Sequence, residues 1–261
     1  MKFTSLKSLL LSIALLSIAF TQEQSHSGTT SVQQSDVTRI IELVKAGNYN
    51  QAIQFFESFE REALGSFTSL HLVEAYHNRG KGFSDNKKYQ RALKDFNKAI
   101  NLADETLDIS LTLVARAYVY RQLKAYDSSL KDYNTALKAA PKDVEALMGR
   151  GLTWLKLRKS KEGIADLDKA IELKADFAMA YYHRGQAYFA LGRFAKASDD
   201  FRMSTVIDPD YVWAYYYNGF ALENSGKAYE AKKAYRRFIE RAPASYQRHI
   251  AAARKRIRLL Q

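Results

Sequence analysis

The chain has 261 residues, 47% of them hydrophobic and 26% charged, an ordinary balance for a folded protein that excludes wholesale disorder. It contains no cysteine, which excludes disulfides, thiolate zinc sites, cysteine nucleophiles and a lipid-modified N-terminal cysteine. Forty Lys and Arg against 28 Asp and Glu give a net charge of +12, which favours acidic partners or surfaces without naming one.

The first seven residues carry two lysines and no acid, and the twelve from Leu9 to Phe20 (LLLSIALLSIAF) then run without a charge. Ser17 and Ala19 offer small side chains where a signal peptidase needs them. The segment therefore predicts a signal peptide at 1–19, cleavage before Phe20, and a periplasmic or secreted mature chain. A retained anchor fits less well, because such a run reaches only roughly 18 Å as helix against a hydrocarbon core of roughly 30 Å. From Thr21 to Gln34 the only apolar side chain is Val32, so 20–34 reads as a disordered polar leader.

From Ser35 onward apolar residues recur at helical spacing, broken by short polar or glycine-bearing turns. The only prolines, Pro141, Pro209 and Pro243, are separated by 68 and 34 residues. Aligned on them, 34-residue frames start at Ser110, Val144, Ala178 and Val212, and an earlier one at Val73 is followed by three extra residues, Leu107 to Ile109. The eighth place holds Gly80, Ala117, Gly151, Gly185 and Gly219; the twentieth holds Ala92, Ser129, Gly163, Ala197 and Ala231. The twenty-fourth holds Phe96, Tyr133, Leu167, Phe201 and Tyr235. Small residues let two antiparallel helices approach, a large one fills the wedge between them, and proline ends the second helix.

This small-small-aromatic-proline signature resembles the tetratricopeptide repeat family, most clearly in YYHRGQAYFALGRFAKASDDF and YYYNGFALENSGKAYEAKKAY. The resemblance implies an all-α fold, a right-handed α-solenoid of antiparallel helix pairs. It divides the rest of the chain into a degenerate helix pair at 35–66, five repeats at 73–245 and a C-terminal capping helix at 246–261. Asp104 and Ala175 depart from the pattern where proline is expected, and Gly163 is expected to loosen its helix by up to about 1 kcal/mol. In the last segment Tyr246, Ile250, Ala253, Ile257 and Leu260 form one apolar stripe on a basic helix, which suits a solenoid cap. Self-association through that stripe has barely two heptads behind it.

Little in the sequence suggests catalysis. No two of the five histidines, His26, His71, His77, His183 and His249, stand at a metal-ligand spacing. The acidic pairs Asp166 with Asp168 and Asp199 with Asp200 fall on second helices, where solvated carboxylates are the expectation. There is no phosphate loop or nucleophile motif, and neither an enzyme nor a cofactor is expected.

In the resembled family the second, fifth and ninth places of each first helix line a concave groove. Here they read Leu111, Val114 and Tyr118, then Glu145, Met148 and Leu152, then Met179, Tyr182 and Gln186, and finally Trp213, Tyr216 and Phe220. Ten of the twelve are apolar or aromatic, more than an idle surface needs. The expectation is a non-enzymatic adaptor that binds a protein or peptide segment there, with energy concentrated on Trp213, Tyr216 and Phe220. Trp154, by contrast, is expected in the core. The family's carboxylate clamp of lysine, asparagine and arginine is missing: His77, Lys81, Ala115, Gly149, Met179 and His183 stand in its places.

Charge supplies the second expectation. From Val212 onward eleven basic residues face three glutamates. Lys232, Lys233, Arg236, Arg237, Arg241, Arg248, Arg254, Lys255, Arg256 and Arg258 would form a patch for anionic lipid, envelope polysaccharide or acidic protein. Nucleic acid is not expected, since export and the lack of a reading helix argue against it.

Overall fold

The structure, a computed structural model, describes residues 34–58, 66–103 and 106–260. Its helices come in consecutive pairs: α1 (Gln34–Lys45) with α2 (Tyr49–Glu57), α3 (Ser66–Asp85) with α4 (Tyr89–Leu102), and α5 (Ser110–Gln122) with α6 (Tyr126–Ala139). Next come α7 (Val144–Lys156) with α8 (Ser160–Leu173), α9 (Ala178–Ala190) with α10 (Phe194–Ile207), and α11 (Val212–Asn224) with α12 (Ala228–Arg241). A 3-10 turn (Ala244–Tyr246) leads into the unpaired α13 (Gln247–Leu259). No strand occurs among the described residues. The proposed signal peptide, its cleavage before Phe20 and nearly all of the leader lie outside the described residues, as does 59–65 of the degenerate pair.

Every pair is closed by the same turn. Gly47, Lys87, Lys124, Arg158, Gly192 and Gly226 take φ between 57° and 74° just after the first helix. The next backbone N–H reaches back to a carbonyl in that helix's last turn, as in Lys88 to Phe83, Lys159 to Trp154 and Lys227 to Leu222. This is the Schellman geometry, which satisfies carbonyls that the helix end would leave bare. At the other end, the carboxylate of Asp143 accepts from the Ala146 N–H at 2.9 Å and starts α7. The extra Leu107–Ile109 serves a similar end: Asp108 accepts from the Ser110 N–H as α5 begins, while Leu107 packs on the core of the preceding pairs.

The frame positions do what their sizes suggest. A Cβ on Gly80 would lie 2.8 Å from the Phe96 ring, one on Gly185 2.9 Å from Phe201, and one on Gly219 2.4 Å from Tyr235. In α7 and α8 the helices close further, because Gly151 and Gly163 face each other. A Cβ on Gly163 would sit 2.8 Å from Leu155 and 2.9 Å from the Gly151 carbonyl. Gly163 is therefore a requirement of close approach, where the sequence suggested only a weakness. Gly149 is likewise structural: its Cβ would meet the Tyr133 hydroxyl at 2.4 Å.

Each pair stacks on the next. First helices also touch the first helices of neighbouring pairs, whereas no comparable contact joins second helices. Helices that crowd along one row and spread along the other curve the stack, so the first helices α3, α5, α7, α9 and α11 form its inner row. The N-terminal pair belongs to the same stack, with Ile40, Val44, Ile53 and Phe56 sharing a core with Leu72 and Tyr76 of α3. α3 begins at Ser66, ahead of its frame at Val73, and this added length carries Leu72 onto that pair.

Candidate functional site

The inner row is not uniform. At the second and ninth places of its middle helices, apolar side chains stand open: Leu111 is 71% exposed, Met179 41% and Tyr118 39%. Leu152 and Gln186 are half-buried, and Glu145 is exposed. The fifth places point between repeats. Val114 and Met148 pack on the core that includes Leu147 and Leu167. Tyr182 is only 7% exposed, wedged against Tyr211 at 4.9 Å and Phe201 at 5.8 Å between ring centroids. Its hydroxyl accepts from Gln186, whose carbonyl accepts in turn from His183.

The last quarter of the expected strip is largely covered: Tyr216 is buried, against expectation, and Trp213 and Phe220 are half-buried. Trp213 stacks 4.9 Å from Tyr246 and meets His249 edge-on at 4.7 Å. Tyr216, 8% exposed, lies against Phe238 and His249. The Arg256 guanidinium sits 4.4 Å above the Phe220 ring. α13 occupies the site a further first helix would take, with Ala253 fully buried. Tyr216 thus belongs to the core under the cap, Trp213 and Phe220 are half-covered by it, and Tyr182 is buried separately between α9 and the pair that follows. Trp154 moves the other way. It is half-buried, with the Lys159 ammonium 4.9 Å above its ring, and does not form core.

One spot on the open part is cationic. Arg121, near the end of α5, stacks its guanidinium 5.3 Å over Tyr118. Its Nε is buried without a hydrogen-bond partner among the described residues. Lys156, at the end of α7, and Arg121 both act on His183 of α9. Burial holds that imidazole below its ordinary value; the Gln186 bond opposes this and the two cations reinforce it.

Profiles described as tetratricopeptide repeat match residues 73–106, 114–176, 178–211 and 213–245, together more than half of the chain. The chain belongs to the tetratricopeptide repeat family. Among solved structures it is similar to the C-terminal part of a TPR repeat-containing protein from Cytophaga hutchinsonii. That match has a TM-score of 0.63 at 19% identity, over 86% of this chain and 95% of that one. It is also similar to the MamA protein, with TM-score 0.55, 21% identity, and coverage of 65% and 91%. A third is YrrB, described as a TPR protein with an unusual peptide-binding site, with TM-score 0.54, 22% identity, and coverage of 69% and 91%. No curated protein matches the chain.

Within the tetratricopeptide array, the largest feature that sequence reasoning missed is a polar ladder. Arg79, Arg116, Arg150 and Arg184 each fork onto the aspartate sixteen residues on, Asp95, Asp132, Asp166 and Asp200, through Nε and Nη2 at 2.6–2.9 Å. Nη1 of each reaches back to the preceding pair, onto Asn50, Asn97, Asn134 or Asp168. Asp166 and Asp200 are buried, not solvated as expected; their paired guanidiniums offset the cost of burial. The carboxylate hydrogen bond holds Arg150 and Arg184 above their ordinary values, against burial that pulls them down.

The basic end is partly spent internally. Arg256 donates to Glu223 at 2.7 Å, Arg241 faces Asp210 at 3.5 Å and Arg237 faces Glu240 at 3.4 Å. Lys233, Arg236, Arg248, Arg254, Lys255 and Arg258 are exposed, and Lys232 is half-buried. Among the described residues no group of three or more His, Asp or Glu could hold a metal, and no helix is long and apolar enough to cross a membrane.

Proposed function

We propose that this protein–protein interaction scaffold holds an extended segment of a partner protein along the inner row from α5 to α9. The observation that carries the reading is the exposure of Leu111 and Tyr118 on α5 and of Met179 on α9, with half-buried Val114 on α5 and half-buried Met148 and Leu152 on α7 between them. Apolar and aromatic side chains on a rigid framework lose little entropy on docking, so they suit a peptide. The peptide-binding site ascribed to YrrB is consistent with it. Replacing Leu111 or Met179 with a photo-crosslinking residue is expected to trap a partner. Val206, 63% exposed on the second helix α10, is the control. Equal trapping at Val206 would remove the groove from the account.

A second reading rests on the exposed basic end, which would dock on an anionic envelope surface. Sedimentation with phosphatidylglycerol vesicles at low and high salt tests it, because such binding weakens as salt screens the charges. Export belongs to the proposal too and rests on the first nineteen residues. N-terminal sequencing of the mature chain, expected to begin near Phe20, tests that part.

A further inference from the structure

The ladder shows how this chain treats a partly buried arginine: each of its four guanidiniums is answered by a forked carboxylate from its own repeat. Arg121 breaks that habit. Its side chain is half-buried and immobilised over Tyr118, yet among the described residues no carboxylate lies within ion-pair distance and its Nε has no acceptor. Lys156 too lacks an ion pair among the described residues. Arg121 and Lys156 stand at the C-terminal ends of the neighbouring first helices α5 and α7, which touch each other on the inner row, and both bear on His183 of α9. A half-buried guanidinium that no carboxylate of its own chain answers is suited to one supplied from outside, reached through its more open Nη side.

We propose that the peptide held in the groove carries an Asp or Glu side chain between apolar residues. Its carboxylate sits between Arg121 and Lys156, and its apolar flanks lie on Leu111, Tyr118 and Met179. This rests on the groove reading above and sharpens it. The guanidinium offers paired donors to a carboxylate, and the lysine adds a point charge. A peptide is favoured over an anionic surface because the two cations lie on the inner row beside the exposed apolar Leu111, Tyr118 and Met179, a mixed apolar and basic face that suits a chain carrying both kinds of side chain. Of the three residues, only His183 falls at a place used by the family's carboxylate clamp; the two cations do not.

The test pans a random twelve-residue phage library against the full chain and measures selected peptides by fluorescence anisotropy. Enriched sequences are expected to share an acidic residue between apolar ones. Changing that residue to its amide should weaken binding tenfold or more, while amidating the peptide's C-terminus should not. Arg121→Gln and Lys156→Gln should each weaken the acidic peptide and leave its amide version unchanged. Lys156 is exposed, so its variant tests the idea even if Arg121→Gln misfolds. Groove-bound peptides that need no acid would overturn the acidic anchor and leave the groove standing. Dependence on a free C-terminus would overturn the side-chain assignment. No selected peptide, or binding indifferent to Tyr118→Ala and Met179→Ala, would overturn the groove reading and the anchor with it.

Discussion

The middle repeats and the C-terminal one share a backbone plan but are held by different chemistry. From α3 to α10 each pair is tied internally and to its predecessor by an arginine fork. In α11 and α12 all three ladder positions change together: Asn218 replaces arginine, Ala234 replaces aspartate, and Arg202 stands where the preceding acceptor would be. Asn218 instead accepts from the Ser198 hydroxyl. In the ladder's place stands an aromatic cluster of Trp213, Tyr216, Phe220, Tyr235 and Phe238, clasped by α13. Glu223 joins the parts, accepting from the Tyr235 hydroxyl at 2.8 Å and from Arg256 at 2.7 Å. The difference teaches that a buried ion pair can be exchanged for apolar packing only as a set, since one orphaned charge costs more than the pair is worth.

Breaking a rung tests this most severely. Arg150→Ala leaves Asp166 buried without its fork and is expected to destabilise by about 3–5 kcal/mol, read by urea unfolding. Asn218→Ala, at the matching place, is expected to cost only about 1 kcal/mol, the worth of an ordinary hydrogen bond. Hydrogen exchange should show the Arg150 damage centred on α6 to α8, because Nη1 also holds Asn134 of the preceding repeat. Equal costs at the two positions would make the ladder incidental.

The two tryptophans sharpen the comparison at the next size. Trp213→Ala removes a ring that meets Tyr216, Phe238, Tyr246 and His249. It is expected to cost roughly 3 kcal/mol and to loosen α13 in hydrogen exchange. Trp154→Ala, half-buried in the ladder region, is expected to cost about half of that, mostly lost surface packing with Lys159. Arg256→Ala comes next at about 1 kcal/mol, since its pair with Glu223 is partly solvated. It should free α13 without disturbing α5 to α8.

The fold was legible because one 34-residue period repeats the same small and large residues, and size alone dictates which helices can touch. Gly80, Gly185 and Gly219 face the rings their frames assign them. A second period within the first was not read. Arginine and aspartate recur sixteen residues apart four times, a spacing that joins a first helix to its second, yet each acid looked solvated when taken singly. The same offset links the twenty-fourth place to the sixth place of the next frame. Tyr133 requires Gly149 there, whereas Phe201 meets Tyr217 at 5.9 Å. The inner-row places were legible, but their exposure was not. Whether a second-place side chain is free depends on the helix stacked against it, and α13 decides that for Trp213 but not for Leu111 or Met179.

The smallest expected stability effect separates the two regions most cleanly. Leu111, Tyr118 and Met179 occupy the same frame places as Trp213 and Phe220, so a rule based on place alone predicts equal consequences for truncation. Exposure predicts otherwise. Leu111→Ala removes a side chain already largely in water and Met179→Ala one that is partly so; they are expected to change stability by about 0.5 and 1 kcal/mol or less, respectively. Tyr118→Ala is expected to cost slightly more, because its ring also supports the Arg121 guanidinium. Urea midpoints for the three, set beside Trp213→Ala, are the measurement. If Leu111→Ala unfolds the chain as readily as Trp213→Ala, the open face is covered in solution as the C-terminal face is, and the middle repeats have no groove to offer.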